Sequence, residues 1–307
     1  MSEVITTVGL TKIFRDFWGR RKVTAVDNLD LSVGAGEVYG MLGPNGSGKS
    51  TIMKLLLGLL HPTAGSVSMF EKPPTHTATR RKVGYLPEES QLYRNLTAVE
   101  TLHFYGRLFG LAAPEIRERS RQLIEMVGLA DAAARPVGTY SKGMARRIGL
   151  AQSLINDPDL LILDEPTAGL DPIGCRQMKD LLHALAQRGK TVVVSSHLLA
   201  DMEDVCDRIM LLHNGRALAQ GAIDELLRRD DGICFSFTGI TKEQQKQLRE
   251  KFNKVNGLVP QIAPPRIGLE KFFVDTIATA GEAGNQNARP GVRQTVELAP
   301  FIRATGT

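Results

Sequence analysis

The sequence has few cysteines and no long apolar run. Its 307 residues include only three cysteines, Cys175, Cys206 and Cys234, which are widely spaced and form no CxxC pair. This excludes a disulfide framework and a cysteine zinc site, and we expect a reducing setting. No run of about 18 apolar residues occurs, and Met1–Val4 does not begin a basic and then apolar leader, so we expect a chain that is neither membrane-spanning nor secreted.

The sequence also lacks a block of one charge. The net charge is +5, but lysine and arginine are spread along the whole chain. Such a mild excess suits a protein beside anionic lipid headgroups as well as one beside RNA, so charge alone leaves both open. With 42% hydrophobic and 23% charged residues, the composition is that of an ordinary globular protein.

Strand-like and helical stretches alternate along most of the chain. Strands are predicted at 38–42, 160–163, 191–196 and 208–212, and this alternation is typical of an α/β domain with a largely parallel sheet. Between 97 and 155 helix signals replace the strands, which predicts a helical insert. We expect a first domain over 1–228 and a C-terminal region over 229–307, which is either a small accessory domain or an unstructured extension. Within that region the sequence predicts an alternating strand at 232–237, a polar helix over 242–253 and a mobile segment at 281–291.

Short local signals fix several element ends. Thr97 and Glu100 form a capping-box pattern, Pro114 suits a first helical position, and Gly128 suits a helix end. Asn214-Gly215 predicts a two-residue hairpin turn into an antiparallel edge strand.

A glycine-rich segment separates a predicted strand from a predicted helix. It has the form G-x-x-x-x-G-K-S, in which glycines let backbone amides approach a polyphosphate and the helix adds its positive end. Lys49 should reach the β- and γ-phosphates, and Ser50 should hold Mg²⁺. The sequence therefore predicts a nucleotide site at Gly43, Pro44, Asn45, Gly46, Ser47, Gly48, Lys49, Ser50 and Thr51.

Two adjacent acids end the apolar run 160–163. Because side chains alternate along an extended chain, Asp164 and Glu165 should point in different directions. Asp164 could then orient Mg²⁺ while Glu165 polarises an attacking water at the γ-phosphate, which indicates hydrolysis of the nucleotide.

Five separated motifs occur in the order found in the ATP-binding cassette (ABC) ATPases, which the chain resembles over residues 4–228. They are the phosphate loop, Tyr140-Ser141-Lys142-Gly143-Met144, Asp164-Glu165-Pro166, Ala168-Gly169-Leu170-Asp171, and His197. The resemblance implies a P-loop fold of the ABC type with an antiparallel β subdomain, and implies ATP and Mg²⁺ as cofactors.

The same resemblance assigns roles to residues outside the phosphate loop. His197 would contact the γ-phosphate and support Glu165, and Asp171 would communicate across an interface. Ser141 stands at a predicted helix N-cap, which makes its hydroxyl and the helix amides, with Gly143, a second anion site. The resemblance implies two cassettes that pair head to tail around ATP.

Some positions depart from the common family pattern. Glu88 stands where a glutamine is usual, so it either approaches Mg²⁺ or is a solvated loop acid, and Lys142 replaces a glycine. Both departures resemble the ATPase subunits of ABC-2-type exporters, and Leu269-Glu270-Lys271-Phe272-Phe273 resembles the short closing helix that follows many exporter cassettes. Phe14 is the candidate for stacking on adenine, with Phe17 and Trp18 as rivals and core packing as the alternative.

The resemblance implies an ATP-hydrolysing subunit at the cytoplasmic face of a membrane, which energises export through a separate permease. Residues 89–95 would lie at the rim of the permease groove. The alternative is a soluble ABC ATPase acting on nucleic acid or the ribosome. Against it, each motif occurs once and no long coiled coil separates Thr51 from Ser141, so no nucleic-acid partner is expected. A third alternative, an inactive scaffold, conflicts with the presence of Glu165.

Overall fold

The computed structural model describes residues 2–227, 241–253 and 298–302. The chain divides into two compact units, Met1–Leu226 with Val292–Thr307, and Leu227–Gly291. The strands are β1 (Glu3–Arg15), β2 (Arg21–Gly34), β3 (Val38–Leu42), β4 (Ala64–Met69), β5 (Val83–Leu86), β6 (Leu160–Asp164), β7 (Thr191–Ser196), β8 (Arg208–His213) and β9 (Arg216–Ala222). The helices are α1 (Lys49–Leu56), α2 (Thr77–Arg81), α3 (Ala98–Leu108), α4 (Ala113–Met126), α5 (Lys142–Leu154), α6 (Pro172–Gln187), α7 (Leu199–Val205), α8 (Ile223–Leu227) and α9 (Lys242–Asn253).

A six-stranded sheet forms the centre of the first unit. Its strand order is β5-β6-β7-β3-β8-β9, and all neighbours are parallel except β8 and β9. All four strands named from the sequence are present, so the predicted α/β class is confirmed. In such a sheet, ligands bind at the carboxyl ends of the strands, where β3, β6 and β7 deliver their following loops.

Both faces of this sheet are buried, which explains why its inner strands are apolar throughout. On β6, Leu161 and Leu163 belong to a core shared with the helices α3 to α7. Leu160 and Ile162 belong to a second core, shared with α1 and the N-terminal strands. Alternate side chains of one strand therefore serve opposite cores, as the period of an extended chain requires.

A smaller antiparallel sheet of order β2-β1-β4 adjoins the second core. The long hairpin of β1 and β2 contains several register shifts, and Leu10 and Leu29 are paired across it and fully buried. This is the antiparallel subdomain that the family resemblance implied.

The helical insert follows β5 and consists of α3, α4 and α5, with 3₁₀ turns at Ala130–Ala132 and Val137–Thr139. At the start of α3, Glu100 N donates to Thr97 Oγ1 at 3.2 Å and Thr97 N donates to Glu100 Oε2 at 2.8 Å, so the predicted capping box is confirmed. Pro114 is the second residue of α4, and Gly128 follows its end with φ +66°.

The turn between β8 and β9 has the predicted form. Asn214 and Gly215 have φ values of +49° and +79°, as a type I′ hairpin turn requires. Gly215 N donates to Ser47 O at 2.9 Å, and Asp27 N donates to Gly215 O at 2.9 Å. The hairpin thus holds the backbone of the phosphate loop against β2.

The segment 298–302 belongs to the first unit, and its residues Leu298, Ala299 and Ile302 are buried in the helical core. Arg188 Nη1 donates to Ile302 O at 3.0 Å, and the Arg119 guanidinium lies 4.6 Å from the centre of the Phe301 ring. The expected division assigned all of 229–307 to an accessory region. In the structure, 298–302 is part of the first unit because its apolar side chains are buried in the core of that unit.

In the second unit, α9 coincides with the polar helix predicted over 242–253. The expected strand at 232–237, the short helix at 269–273 and the mobile stretch at 281–291 lie outside the described residues. Within the residues that the structure describes, no helix combines the length and the apolar character needed to cross a bilayer.

Candidate nucleotide site

The phosphate loop joins β3 to α1, the context that the motif requires. Gly48 has φ +112°, and a Cβ there would lie 2.4 Å from Ala25 O, so only glycine fits without displacing the backbone. Lys49 is buried, and its Nζ donates to Gly43 O at 2.6 Å and to Pro44 O at 3.3 Å. The loop is therefore curled around its own lysine.

The loop also offers donors that a phosphate could take up. Gly48 is the N-cap of α1 and has no side chain that could accept a hydrogen bond from the first amides of the helix. The N–H groups of Ser50 and Thr51 are among these amides. The hydroxyl of Ser47 is buried, and it has no hydrogen-bond partner within the described part of the chain. An anion at this helix end would satisfy such groups and be stabilised by the helix dipole.

Three predicted site residues meet beside the loop. Glu165 Oε2 lies 2.9 Å from His197 Nδ1, and Glu165 Oε1 lies 4.0 Å from Lys49 Nζ. Glu165 and Lys49 are almost fully buried, whereas about half of the His197 side chain is exposed. A carboxylate is thus held between a fixed cation and an imidazole at the carboxyl ends of β6 and β7.

Glu165 reaches this position by a backbone conformation that the sequence did not indicate. Strand β6 ends at Asp164, and Glu165 has φ +52°, a left-handed conformation that costs a non-glycine residue about 1–3 kcal/mol. Alternation along an extended chain, the expected reason for Asp164 and Glu165 to point in different directions, is therefore wrong, because Glu165 lies beyond the end of the strand. Glu165 N donates to Ser195 O at 3.2 Å, which secures the turn.

Asp164 is held by the neighbouring strand. Its Oδ1 accepts a hydrogen bond from Ser195 Oγ at 2.5 Å, and the residue is buried. An oxygen donor set of Asp164 and Ser50, completed by phosphate oxygens, suits Mg²⁺. Within 2–227, 241–253 and 298–302 no group of three or more histidine, cysteine, aspartate or glutamate side chains could hold a metal ion by itself.

Arg146 connects these elements, although nothing in its sequence neighbourhood predicts a role for it. It lies on α5, is 3% exposed, and donates to the carbonyl oxygens of Pro87, Glu88 and Asp164. Its Nε also lies 3.4 Å from Pro166 O. Burial lowers the pKa of Arg146 to about 10, although the nearby acids Asp164, Glu165 and Glu88 oppose this. The signal available was weak, because an arginine in a helix is usually at the surface.

The Ser141 segment begins α5 as predicted. Ser141 is the N-cap, and its Oγ accepts from Met144 N at 3.2 Å. A Cβ on Gly143 would lie 3.3 Å from the Leu170 side chain, which places the segment beside the chain leading to Asp171. Asp171 itself caps α6, since its Oδ1 accepts from Gly174 N at 2.6 Å.

Glu88 and Phe14 have looser positions. The Glu88 side chain is exposed, and the contact that fixes the residue is made by its carbonyl oxygen, 2.9 Å from Arg146 Nη1. Phe14 is 36% exposed with Lys12 Nζ 5.5 Å from its ring centre, whereas its rivals Phe17 and Trp18 are 93% and 78% exposed.

The fold and the loop together define the class of P-loop ATP hydrolases. A family model described as ABC transporter matches residues 26–168. An uncharacterized ABC transporter ATP-binding protein of Synechocystis is 42% identical over 75% of this chain and 66% of its own length. The Nod factor export ATP-binding protein I of Burkholderia thailandensis is 43% identical over 92% of each chain. This chain belongs to the ABC transporter family.

Solved structures agree with this assignment. A dimeric ATP-binding cassette in a post-hydrolysis state, bound to ADP and Pi, is similar with a TM-score of 0.67 and 28% identity, over 71% of this chain and 98% of that one. The predicted P-loop ABC fold and the predicted ATP-hydrolysing activity are both confirmed by these relationships.

Proposed function

We propose that this chain is the ATP-hydrolysing subunit of an exporter, bound to a separate permease at the cytoplasmic face of a membrane. The observation that carries the proposal is the contact of Glu165 with both His197 and Lys49 beside the phosphate loop. A relative named for Nod factor export matches nearly the whole chain, which supports export over other uses of an ABC ATPase.

The residues suggest a division of tasks. Lys49 and the amides of Gly46 to Thr51 would hold the β- and γ-phosphates, with adenine stacked on Phe14. Ser50 and Asp164 would hold Mg²⁺, which neutralises phosphate charge when bound, and Glu88 is a further candidate ligand. Glu165 would accept a proton from the attacking water, and His197 fixes the carboxylate that performs this task.

A second copy of the chain would complete the site. Ser141 is exposed at the start of α5 and Gly143 follows it, and in a head-to-tail pair they would face the γ-phosphate held by the other copy's phosphate loop. Asp171 would lie along the same interface. The dimeric cassette among the similar structures supports this arrangement.

The permease would dock beside the predicted rim at 89–95. Tyr93 is 57% exposed, and its ring contacts Phe104 of α3 edge to face at 5.2 Å. Phe104 in turn contacts Tyr105 at 5.3 Å. Tyr93 is thus an exposed aromatic side chain in a loop, supported by two partly buried rings of α3, and aromatic residues are typical anchors of protein interfaces.

The alternative of a nucleic-acid or ribosome ATPase receives no support from the insert. The segment between Thr51 and Ser141 is described throughout, and its longest helix, α4, has 14 residues. This helix is too short to form the long coiled coil that an ABC ATPase of DNA repair would carry between these two motifs.

The test uses the full chain with and without the co-expressed permease. Glu165→Gln should bind ATP but hydrolyse it at least about 100-fold more slowly, since a positioned general base contributes about 10²–10⁴-fold. With Mg-ATP it should form a dimer in analytical ultracentrifugation. His197→Ala should lower kcat with less effect on nucleotide affinity. Unchanged hydrolysis by Glu165→Gln would contradict the catalytic assignment, and failure of the chain to co-purify with any membrane protein would contradict the transport role.

A further inference from the structure

The hairpin between β1 and β2 ends in a hydrogen-bonded tip, which we define as residues 15–22. Asp16 N donates to Arg20 O at 2.9 Å, and Gly19 N donates to Asp16 O at 3.0 Å. Arg20 N also donates to Asp16 Oδ1 at 2.7 Å, and Arg15 Nη1 donates to Gly19 O at 2.9 Å. These bonds close the turn, so the tip presents its side chains on a defined backbone.

The tip exposes apolar side chains that no described element covers. Phe17 and Trp18 are the most exposed of the large hydrophobic residues described, and their rings contact each other edge to face at 5.6 Å. Phe14 and Val23 are cross-strand partners just behind them, and both are also exposed. A contiguous apolar group at the end of a hairpin is costly in water and marks an interaction site.

Basic residues flank these apolar groups along the chain. Residues 15–22 contain Arg15, Arg20, Arg21 and Lys22 against the single acid Asp16, whose carboxylate is used inside the turn. The side chains of Arg15, Arg20 and Lys22 are exposed. Aromatic rings with a rim of lysine and arginine are the combination that binds the interface of an anionic bilayer.

We propose that this hairpin tip inserts into the headgroup region of an anionic membrane. Trp18 and Phe17 enter the boundary between headgroups and acyl chains, while Arg15, Arg20 and Lys22 pair with lipid phosphates. This contact goes beyond the proposed function, because it is made to lipid directly and needs no permease. Adenine stacking, the alternative for Phe17 and Trp18, would cover one ring face at most and would not explain the exposed basic residues Arg15, Arg20 and Lys22.

Trp18 makes the proposal directly measurable, because it is the only tryptophan in the sequence. The emission of the full chain is recorded with vesicles of phosphatidylcholine alone, and with vesicles containing equal parts of phosphatidylcholine and phosphatidylglycerol. We expect a blue shift and quenching by brominated lipid with the mixed vesicles only, and we expect added salt to reverse both.

Variants then separate the electrostatic contribution to vesicle binding from the contribution of apolar burial. Arg20→Gln and Lys22→Gln should each weaken vesicle binding about 5-fold, since each basic residue near an anionic surface contributes a similar factor. Phe17→Ala should weaken it about 10-fold through lost apolar burial. The matched control is Lys54→Gln with Lys246→Gln, two exposed lysines outside the tip, which should bind like the parent.

Three results would overturn the proposal. The first is an unchanged emission with both vesicle types, and the second is an equal shift with neutral and anionic lipid. The third is quenching of Trp18 by Mg-ATP in the absence of lipid, which would assign this ring to the nucleotide. Because none of these readings depends on hydrolysis or on the permease, failure here is distinct from failure of the proposed exporter function.

Discussion

Replacement of Arg146 by methionine should damage both the stability and the activity of the cassette. The change leaves the carbonyls of Pro87, Glu88 and Asp164 without their donor, at about 1–3 kcal/mol each. The change also removes a buried charge, whose burial cost is reflected in the lowering of the Arg146 pKa from 12.5 to about 10. We expect this removal to stabilise the folded state by about 3 kcal/mol, which offsets part of the loss. With about 2 kcal/mol for each carbonyl, the middle of that range, the net loss in free energy of unfolding is about 3 kcal/mol.

This loss should lower the melting temperature by about 6–12 °C, given about 2–4 °C per kcal/mol for a domain of this size. The activity should fall as well, because Asp164 and the Glu88 loop lose their common anchor. Arg146→Lys keeps a charge but has no planar fork with which to bridge three carbonyls, so it should recover only part of either loss.

The assay is calorimetry of the apo chain together with steady-state ATP hydrolysis. Arg147→Met is the matched control, since Arg147 is the next residue of α5 and is only half-buried, with one long contact of 3.4 Å to Val127 O. It should cost less than about 1 kcal/mol. Should Arg146→Met melt and hydrolyse ATP like the parent, the buried arginine would not be what holds these segments together.

Three further changes test other parts of the structure. Gly48→Ala should abolish ATP binding in a titration with labelled nucleotide, because its Cβ would meet Ala25 O at 2.4 Å; parental affinity would contradict the loop geometry. Hydrogen bonds from Thr97 lower the pKa of Glu100 in the folded state below its ordinary value of 4.5. The stabilisation that these bonds give is therefore complete at neutral pH, and it is lost as the pH falls below 4.5 and through the lowered pKa of the folded state. Glu100→Gln should flatten this acid limb in thermal melts, and an unaltered pH profile would count against the capping box. Ile302→Ala should cost about 2–5 kcal/mol of stability, and an unchanged melting curve would show that segment 298–302 is not docked.

The features predicted correctly from the sequence are those with local signals. The turn at Asn214-Gly215, the N-cap at Ser141 and the capping box at Thr97 each depend on a few adjacent residues, whose preferences act before any long-range contact forms. The strand and the helix that flank the glycine-rich loop belong to the same group, since they and the loop are continuous in the chain.

The features that were missed depend on distant contacts. Arg146 binds carbonyls 58 and 59 residues earlier in the chain, and nothing in its own neighbourhood marks it as buried. The left-handed conformation of Glu165 is held by Ser195, thirty residues later, against the preference of a glutamate. Segment 298–302 likewise docks through Arg188, so a division based on composition could not place it.

One such distant contact joins the two ends of the candidate site. Thr167 Oγ1 donates to Asp201 Oδ2 at 2.9 Å, and Lys179 Nζ lies 3.2 Å from Asp201 Oδ1, all three residues being buried. Thr167 follows Glu165 closely and precedes Asp171, whereas Asp201 lies on α7 just after His197. Separating a buried ion pair leaves an uncompensated charge and is strongly unfavourable. A movement of His197 that carries α7 must therefore either move the chain leading to Asp171 or break these contacts.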